Sequence, residues 1–194
     1  GKVMGELSLR IPGEHNLLNA LAALATAHAL GLAPIEIVEG LGSFTGARRR
    51  FELKGEANGV RVIDDYGHHP TEIRVTLETA RRYAGMGRVI VIFQPHRYSR
   101  TKSFAREFAE VLSLADEIFL LEIYPASEDP IPGVSSLMIS NHMHSQANEV
   151  HFEPSMVDAV ERAVASARSG DIIITLGAGD VSSLAPLIVK SLEH

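Results

Sequence analysis

The side chains that could do chemistry are densest where the sequence reads DDYGHHPTE, from Asp64 to Glu72. The carboxylates could accept hydrogen bonds from ribose hydroxyls or hold a divalent cation. The histidines could bind a metal or, when protonated, an anion. The structural alternative is that Asp65 or His69 only caps the helix that follows. A cap accounts for one of these residues and leaves the others unexplained, so we treat the whole cluster as a candidate site.

A second polar string, FQPHRYSRT, continues directly from a predicted buried strand. Its basic residues His96, Arg97 and Arg100 could converge on one carboxylate or phosphate, because guanidinium forks pair well with such anions. Ser99 or Thr101 would then start the next helix. A solvated basic loop is the alternative, but the position directly after a buried strand argues against it.

Three adjacent arginines, Arg48 to Arg50, precede Phe51. Their guanidinium groups repel one another unless water or anions surround them. Phosphate suits the planar fork of arginine, and a solvated run of charge explains the pattern equally well. The residues alone leave both interpretations open.

Two amides, Asn16 and Asn19, are three residues apart and would share one face of a helix near its first turn. Their carboxamides could pair with a ligand that offers both donors and acceptors, such as adenine. The residues alone favour a simpler interpretation, in which Asn16 or Glu14 caps the helix.

A glycine-rich turn, Gly177-Ala178-Gly179, follows the last predicted strand, but Ser182 stands where a dinucleotide fingerprint has its third glycine. Tight packing of strand against helix explains the turn better. A nicotinamide-dependent oxidoreductase needs an intact fingerprint after the first strand and an acidic ribose ligand about 20 residues later, and neither is present. A metal-dependent hydrolase built on the DDYGHH cluster would need further ligands from elsewhere in the chain.

Helices and strands must position these residues. Along the chain, the spacing of apolar residues switches repeatedly between the period of a helix and that of a strand. Asn58-Gly59 favours a tight hairpin, and a boundary between two domains falls in the loop 42–50. The predicted helices lie at 17–30, 34–41, 70–84, 102–113, 135–146, 155–168 and 181–190, and the predicted strands at 51–56, 60–65, 88–93, 117–123, 149–152 and 171–176.

Some of the predicted strands, such as VIVIF at 89–93 and III at 172–174, are apolar without alternation, which is typical of parallel strands covered on both faces. The pattern therefore predicts an α/β fold: a Rossmann-like open, mostly parallel sheet with helices on both faces, preceded by a short helical region. Ligands of such sheets bind at the carboxyl ends of the strands, where DDYGHH, QPHR and GAGD all lie.

Composition narrows the function classes further. The chain has 194 residues, no cysteine and a formal net charge of −6. Disulfides and thiolate metal sites are therefore excluded, and the negative charge argues against nucleic acid as a partner. No apolar run approaches the roughly 20 residues of a membrane helix, so we expect no membrane insertion and a cytoplasmic location. The final LEH at 192–194 looks like the start of an expression tag.

Taken together, the motifs resemble one family, the Mur ligases. The strings that carry the resemblance are GEHNLLNALAA, RRRFE, DDYGHHPTEI, FQPHRYSRT, EIYPASEDPIPG and LGAGD, and it covers the whole chain except the LEH end. Their order and spacing are most similar to the branch that joins L-alanine to UDP-N-acetylmuramate with ATP. A sister branch, which recycles muropeptides by attaching a tripeptide to the same sugar nucleotide, has Phe-Ala where this chain has Tyr66-Gly67 and lacks the QPHRY string.

The resemblance implies that residues 1–43 are the end of a central ATP-binding domain. It implies that 44–191 form the C-terminal domain that binds the incoming amino acid, and 192–194 stay outside both. The phosphate-binding loop, the central-domain magnesium ligands and the UDP-sugar site of the family are absent from this sequence. We therefore expect the chain by itself to lack ligase activity, with ATP and magnesium held mainly by the rest of the parent enzyme.

The resemblance also implies roles for ten residues, and it implies no metal ligand among them. Catalytic roles fall to Arg50, Tyr66 and His68. Nucleotide contacts fall to His15, Asn16, Asn19, Arg50 and Asp65, with Arg50 reaching the ATP phosphates and Asp65 the ribose. The carboxylate of L-alanine would be held by His96, Arg97 and Arg100.

Overall fold

The computed structural model describes residues 6–143 and 149–194. The chain divides into two compact units, one up to Arg48 and one from Arg49 to His194. Each is described on its own.

The first unit contains two helices, α1 (Glu14–Ala29) and α2 (Pro34–Ser43). Gly31 lies beyond the end of α1 with φ 88°, a conformation that glycine adopts without strain. Pro34 then starts α2, since a first helical residue needs no donated backbone N–H. Both predicted helices of this unit are confirmed, and three leucines of α1 (Leu17, Leu18 and Leu21) are exposed within it.

The second unit is a six-stranded sheet with helices on both faces. Its elements in chain order are β1 (Glu52–Ala57), β2 (Val60–Asp65), α3 (Pro70–Ala84), β3 (Val89–Phe93), α4 (Tyr98–Leu112), β4 (Glu117–Leu120), α5 (Leu137–Ser140), β5 (Glu149–Phe152), α6 (Met156–Ser166), β6 (Ile172–Leu176), a 3-10 turn (Asp180–Ser183) and α7 (Leu184–Leu192). The strand order is β1-β2-β6-β3-β4-β5. β1 is antiparallel to β2 and the other four pairings are parallel, which confirms the predicted fold class.

Adjacent strand residues serve opposite cores, because successive side chains of a strand point to opposite faces. Val91 and Phe93 pack with α3 and α4 in one apolar cluster. Ile90 and Ile92 pack with α6 and α7 in the other. All four side chains are completely buried, which explains the apolar run without alternation.

Several predicted elements differ in their bounds. α1 begins at Glu14 instead of residue 17, α6 is three residues shorter than predicted, and the predicted helix 181–190 is a 3-10 turn followed by α7. β4 ends at Leu120 instead of residue 123, level with the last paired residues of its neighbours, Phe93 and Phe152. The helix expected at 135–146 is a single turn, α5, and residues 144–148 lie outside the described ranges. α4 begins at Tyr98 instead of residue 102.

The early start of α4 follows from Arg97, which has φ 76° and serves as the N-cap residue. The Arg97 carbonyl accepts from the backbone N–H of Thr101 at 3.1 Å and from the Thr101 hydroxyl at 2.9 Å. The expectation that Ser99 or Thr101 starts the helix is therefore wrong, because both lie inside its first turn.

Leu192, set aside above with the LEH end, is the last residue of α7 and is buried in the second apolar cluster. Its carbonyl accepts from the side-chain amide of Asn58 in the β1–β2 turn. Leu192 thus belongs to the folded second unit, in the helix that packs against the sheet.

The amino ends of β3 and β6 are locked together beside Gly87. The Arg88 backbone N–H donates to the Asp171 carboxylate at 2.8 Å, and the Ile172 N–H donates to the Arg88 carbonyl at 2.9 Å. A Cβ on Gly87 would lie only 2.0 Å from the backbone oxygen of Gly170. This contact requires a residue without a side chain.

We expect Gly87→Ala to destabilise the second unit by about 1–3 kcal/mol, because the added methyl forces two strand ends apart. Urea unfolding followed by circular dichroism measures the change. Met86→Ala is the matched control, since the Met86 side chain is fully exposed one residue away. Equal midpoints for the two variants would contradict the steric argument.

Candidate functional site

Two buried carboxylates end β2 and hold the surrounding loops. Asp64 accepts from the Nε of Arg49 at 3.1 Å and from the Thr175 hydroxyl at 2.8 Å. Asp65 accepts from the backbone N–H groups of Phe51 and Gly67 at 2.7 and 2.8 Å. These bonds fix the loops on both sides of the strand.

The Asp65 carboxylate has a third donor, the Thr76 hydroxyl at 3.0 Å, and is 5% exposed. Burial raises its pKa above the ordinary value, although the three donors and the charge of Arg50 act in the opposite direction. Asp65 does not cap α3. In this conformation both of its oxygens are occupied by the protein itself, and the predicted ribose contact stays a prediction.

The three arginines take different environments. The Arg49 guanidinium binds Asp64 and the carbonyl of Gly177, so a solvated run of charge does not describe it. Arg50 is more than half exposed and lies 4.0 Å from the carboxylate of Glu72. Arg48 belongs to the first unit. Of the two that lie in the second unit, Arg50 is therefore the one whose guanidinium is not bound to a buried carboxylate.

Backbone strain accompanies this arrangement. Arg49 and Phe51 have φ values of 56° and 48°, in the left-handed region that non-glycine residues rarely occupy. The Arg49 carbonyl accepts from Tyr66 N–H at 2.7 Å, while Asp65 holds the Phe51 N–H. The bonds to the end of β2 thus hold the segment in a conformation that costs about 1–3 kcal/mol per residue.

Tyr66 and His68 form the middle of the site. The Arg49 and Arg50 guanidinium groups lie 4.9 and 5.8 Å from the centre of the Tyr66 ring, within range of a cation–π interaction. The ring meets His68 edge-on at 5.2 Å. His68 Nδ1 lies 3.4 Å from the Glu72 carboxylate. Tyr66 and His68 are therefore connected to the arginines on one side and to α3 on the other.

Glu72 and His69 serve the start of α3. Glu72 accepts from the backbone N–H groups of His68 and His69 at 3.1 and 3.3 Å. Burial would raise the Glu72 pKa, but these bonds and the His68 and Arg50 charges hold it below the ordinary value. His69 is the N-cap residue, and its ring packs against Phe104. The capping interpretation therefore holds for His69.

His96 continues the site at the end of β3. Its ring lies 5.8 Å from His68 and stacks on Tyr124 with 15° between the ring planes. Arg100 Nη1 lies 3.2 Å from His96 Nδ1. A guanidinium can only donate, so Nδ1 accepts and the neutral imidazole carries its proton on Nε2. Burial and the charges of Arg100, His68 and Arg97 lower the His96 pKa below its ordinary value.

The structure thus brings five predicted site residues into one connected row: Arg50, Tyr66, His68, His96 and Arg100. We call this the aromatic–cationic row. Arg97 is exposed beside it, and its charge acts on His96.

The remaining candidates lie on α1 in the first unit. His15 and Asn16 are half-buried and Asn19 is exposed. The Asn16 amide donates to the Pro12 carbonyl at 2.6 Å, and no side chain caps α1. The expectation that Asn16 or Glu14 caps this helix is wrong.

Sequence reasoning missed Gln94, which ties the ends of β3 and β6 together. Its amide donates to Asp180 at 2.7 Å, and its Oε1 accepts from Val181 N–H at 3.2 Å. A Cβ on Gly177 would lie 2.6 Å from the Gln94 carbonyl, and one on Gly179 would lie 2.3 Å from Gln94 Oε1. The predicted tight packing of the glycine-rich turn is confirmed. The position of Gln94 directly after a buried strand was the available clue.

Within the described ranges, one group of acidic and histidine side chains is close enough to share a metal ion: Glu117, Glu149 and His151. It lies at the amino ends of β4 and β5, at the opposite edge of the sheet from DDYGHH. Arg162 donates to His151 Nδ1 at 2.8 Å, so His151 Nε2 carries a proton and points it towards Glu117 at 3.4 Å. A neutral imidazole thus lies between the Arg162 guanidinium and the Glu117 carboxylate, and its Nδ1 is already occupied.

We expect Arg100→Leu to raise the His96 pKa towards its ordinary value, because a neighbouring positive charge disfavours the imidazolium form. Titration of histidine ring signals by NMR measures the shift. Arg106→Leu removes the same charge from an exposed position of the same helix and should leave the His96 midpoint unchanged. A midpoint that stays constant or falls in Arg100→Leu would contradict the assignment.

None of the helices in the described ranges has both the length and the hydropathy that crossing a bilayer requires.

Comparison with known proteins identifies the family. Residues 49–179 match the family model described as Mur ligase, glutamate ligase domain. UDP-N-acetylmuramate–L-alanine ligase of Kineococcus radiotolerans is 50% identical over 194 residues, which are 100% of this chain and 41% of that protein. The enzyme of the same name from Paenarthrobacter aurescens is 51% identical over 187 residues, covering 96% of this chain and 40% of that protein.

Among solved structures, UDP-N-acetylmuramate-alanine ligase of Thermotoga maritima superposes with a TM-score of 0.82 at 34% identity, covering 98% of this chain and 40% of that one. A murein peptide ligase of Psychrobacter arcticus gives 0.69 at 26% identity, covering 97% and 39%. This chain thus spans about two fifths of the length of the relatives it matches. The resemblance found in the sequence is confirmed, and the chain belongs to the Mur ligase family.

Proposed function

We propose that this chain is the C-terminal part of an ATP-dependent ligase that joins L-alanine to UDP-N-acetylmuramate. The curated relatives that carry this name are about 50% identical over essentially the whole chain. The recycling branch has less support, because the murein peptide ligase is less similar in sequence and in fold than the alanine ligase structure. We place the reaction in the cytoplasm, where ATP and nucleotide sugars are made.

In domain terms, we propose that the first unit is the end of a central ATP-binding domain. We propose that the second unit is the domain that binds the incoming amino acid. The family match begins at residue 49, which supports this division. His15, Asn16 and Asn19 would then contact the adenine side of ATP from the first turn of α1.

The observation that carries the proposal is the aromatic–cationic row at the carboxyl ends of β2 and β3. It presents three rings, Tyr66, His68 and His96, between a cation at each end, Arg50 and Arg100. Among the described residues, none makes a hydrogen bond or ion pair to the guanidinium of exposed Arg97. A carboxylate of a small amino acid could therefore pair with Arg97 and Arg100, next to the neutral Nε2–H of His96.

The chemistry we propose is acyl activation followed by amide formation. ATP phosphorylates the muramoyl carboxylate, the alanine amine attacks the acyl-phosphate carbonyl, and the tetrahedral intermediate expels phosphate. Arg50 would offset the phosphate charge, and Tyr66 and His68 would line the path of the reacting groups. His96, Arg97 and Arg100 would accelerate amide formation chiefly by positioning the amino acid, because a bound amine attacks at high effective concentration.

The two carboxylates that end β2, Asp64 and Asp65, do not fit magnesium as they stand in the described part of the chain. Both oxygens of Asp65 already accept from backbone or hydroxyl donors, and Asp64 is paired with Arg49 and Thr175. These carboxylates hold loops, and taking on a cation would require giving up those bonds. We therefore propose that the magnesium ligands lie in the rest of the parent enzyme.

In the full-length enzyme, we expect Arg97→Ala and Arg100→Ala each to raise the Michaelis constant for L-alanine roughly 10- to 100-fold. This follows from losing a charge-assisted hydrogen bond of about 1.5–3 kcal/mol. The constant for ATP should change far less. Arg97→Lys should rescue poorly, because an ammonium cannot form a paired fork. Steady-state phosphate release with each substrate varied separately provides the measurement.

The matched control is Arg106→Ala, which removes an exposed arginine from the same helix α4. If the arginines bind ATP phosphates instead, the pattern reverses and nucleotide affinity falls while the alanine constant is spared. An alanine constant within about twofold of the parent in both variants would end the carboxylate proposal.

A second prediction concerns the nucleotide contacts of α1. Asn19→Ala in the full-length enzyme should weaken ATP binding roughly two- to tenfold, the effect of losing one neutral hydrogen bond of about 0.5–1.5 kcal/mol. Calorimetry measures the affinity. His28→Ala, an exposed change near the other end of the same helix, should leave it unchanged. Equal affinity in both variants would remove Asn19 from the nucleotide site.

A further inference from the structure

A short segment of the loop that follows β4 contacts the candidate site with its first and its last residue. We call residues Tyr124 to Glu128, with the sequence YPASE, the 124–128 segment. Tyr124 N–H donates to the Pro95 carbonyl at 2.8 Å, and the Arg97 N–H donates to the Tyr124 carbonyl at 2.8 Å. These reciprocal bonds attach the segment to the stretch of chain that carries His96 and Arg97.

The Tyr124 ring adds a second contact to the same stretch. It stacks on the His96 ring with the centroids 5.6 Å apart. Gly179 lies close to Tyr124, since a Cβ there would be 2.7 Å from Tyr124 Cγ and 2.9 Å from its Cβ. Tyr124 is thus packed between the glycine-rich turn after β6 and His96. The imidazole therefore has a ring stacked on it and Arg100 bonded at Nδ1.

The other end of the segment holds the start of α4. The Glu128 carboxylate accepts from the backbone N–H of Ser99 at 2.9 Å and from the Ser99 hydroxyl at 2.6 Å. A carboxylate is favourable there because the first N–H groups of a helix have no partner within it. Arg100 is the next residue of that first turn. Glu128 thereby fixes the turn from which Arg100 projects, and its charge acts on Arg97 and His96.

Between these two ends, the backbone is strained. Ala126 and Ser127 have φ values of 48° and 71°, and the Glu128 N–H closes the turn on the Pro125 carbonyl at 3.0 Å. Left-handed conformations at two consecutive non-glycine residues cost free energy and persist only where the surroundings enforce them. Here the surroundings are Tyr124 on one side and Glu128 on the other. The segment therefore has one defined shape between two anchors.

We propose that Tyr124 and Glu128 are positioning residues for the incoming amino acid. They hold His96, Arg97 and Arg100 in the arrangement that receives its carboxylate. The inference rests on the proposed function, and it adds two residues that the resemblance does not assign to the site. Tyr124 acts through the His96 ring and the Arg97 backbone, whereas Glu128 acts through the first turn of α4.

The test uses steady-state kinetics of the full-length enzyme, with L-alanine and ATP varied separately. Tyr124→Leu removes the ring stack, and Glu128→Gln removes the charge at the helix start. Each should raise the alanine Michaelis constant roughly three- to tenfold, the effect of losing one aromatic stack for Tyr124→Leu or one helix-end interaction for Glu128→Gln. The ATP constant should change less than twofold. Tyr124→Phe keeps the ring and should stay much closer to the parent than Tyr124→Leu.

A double-mutant cycle checks the route through the helix start. Glu128→Ala removes both bonds to Ser99, whereas Ser99→Ala removes the hydroxyl bond alone. Each should raise the alanine constant, and the double variant should be no worse than Glu128→Ala by itself, because that variant has already lost the hydroxyl bond. Additive effects would contradict this route. Asp129→Asn is the matched control, since it removes the same charge from the neighbouring exposed residue and should have no effect.

Two outcomes would overturn the positioning inference. One is an alanine constant within twofold of the parent in both Tyr124→Leu and Glu128→Gln. The other is a lowered melting temperature with alanine and ATP constants rising together, which is the result of a merely structural role. Arg100→Ala distinguishes a failure of the positioning inference from a failure of the proposed carboxylate site. If it raises the alanine constant and the segment variants do not, only the positioning inference fails. If it does not, the proposed carboxylate site fails.

Discussion

The two carboxylates at the end of β2 are the constraint on which the site depends. Asp64 and Asp65 lie inside the protein, where an unpaired charge would cost several kcal/mol, so each must collect donors from the surrounding chain. The donors they collect belong to different parts of the second unit: the 49–51 segment, the loop at Gly67, α3 and β6. Satisfying two buried charges therefore fixes four segments at once. Tyr66, which directly follows these carboxylates, is placed by the same bonds.

A second constraint comes from the parallel sheet, which brings the ends of β2, β6 and β3 side by side. Close approach there is possible only because Gly177 and Gly179 lack side chains, so that Gln94 and Tyr124 can pack directly against the turn after β6. His96 then lies within 5.8 Å of His68, although they are 28 residues apart in the sequence. The aromatic–cationic row is thus a product of strand order as much as of the residues in it.

Much of this was predictable from the sequence, for physical reasons that differ between elements. The apolar runs identified the buried strands, because a strand covered on both faces has no polar positions. The ends of those strands then located DDYGHH and QPHR correctly. The start of α4 was not predictable, since it depends on Arg97 adopting a positive φ, and that conformation is stabilised by a bond to Tyr124 far along the chain.

The sequence also could not predict which of two neighbouring polar residues is exposed and which is bound within the protein. Arg49 and Arg50 are adjacent, identical in type and both near the Tyr66 ring, yet Arg49 is bound to Asp64 whereas Arg50 is more than half exposed. Asp65 and His68 were both candidates for direct ligand contact, and the Asp65 carboxylate turned out to be occupied by protein donors. Which member of a cluster faces outward depends on three-dimensional packing, and spacing along the chain does not encode it.

At this edge of the sheet, the carboxylates at the starts of two helices lie close to the cationic side chains of the site. Two helices begin here, and a carboxylate accepts from the backbone at each start. Glu72 in α3 accepts from the N–H groups of His68 and His69, just before the helix, and Glu128 from another loop accepts from Ser99 N–H in the first turn of α4. Each acid also lies near the cations of the site, Glu72 beside Arg50 and His68, and Glu128 near Arg97. Because both carboxylates accept from backbone N–H groups, Glu72 lies only at 4.0 Å from Arg50, and Glu128 makes no ion pair with Arg97 in the described residues. The same bonds that start the helices therefore keep the cationic side chains available for an anion from outside.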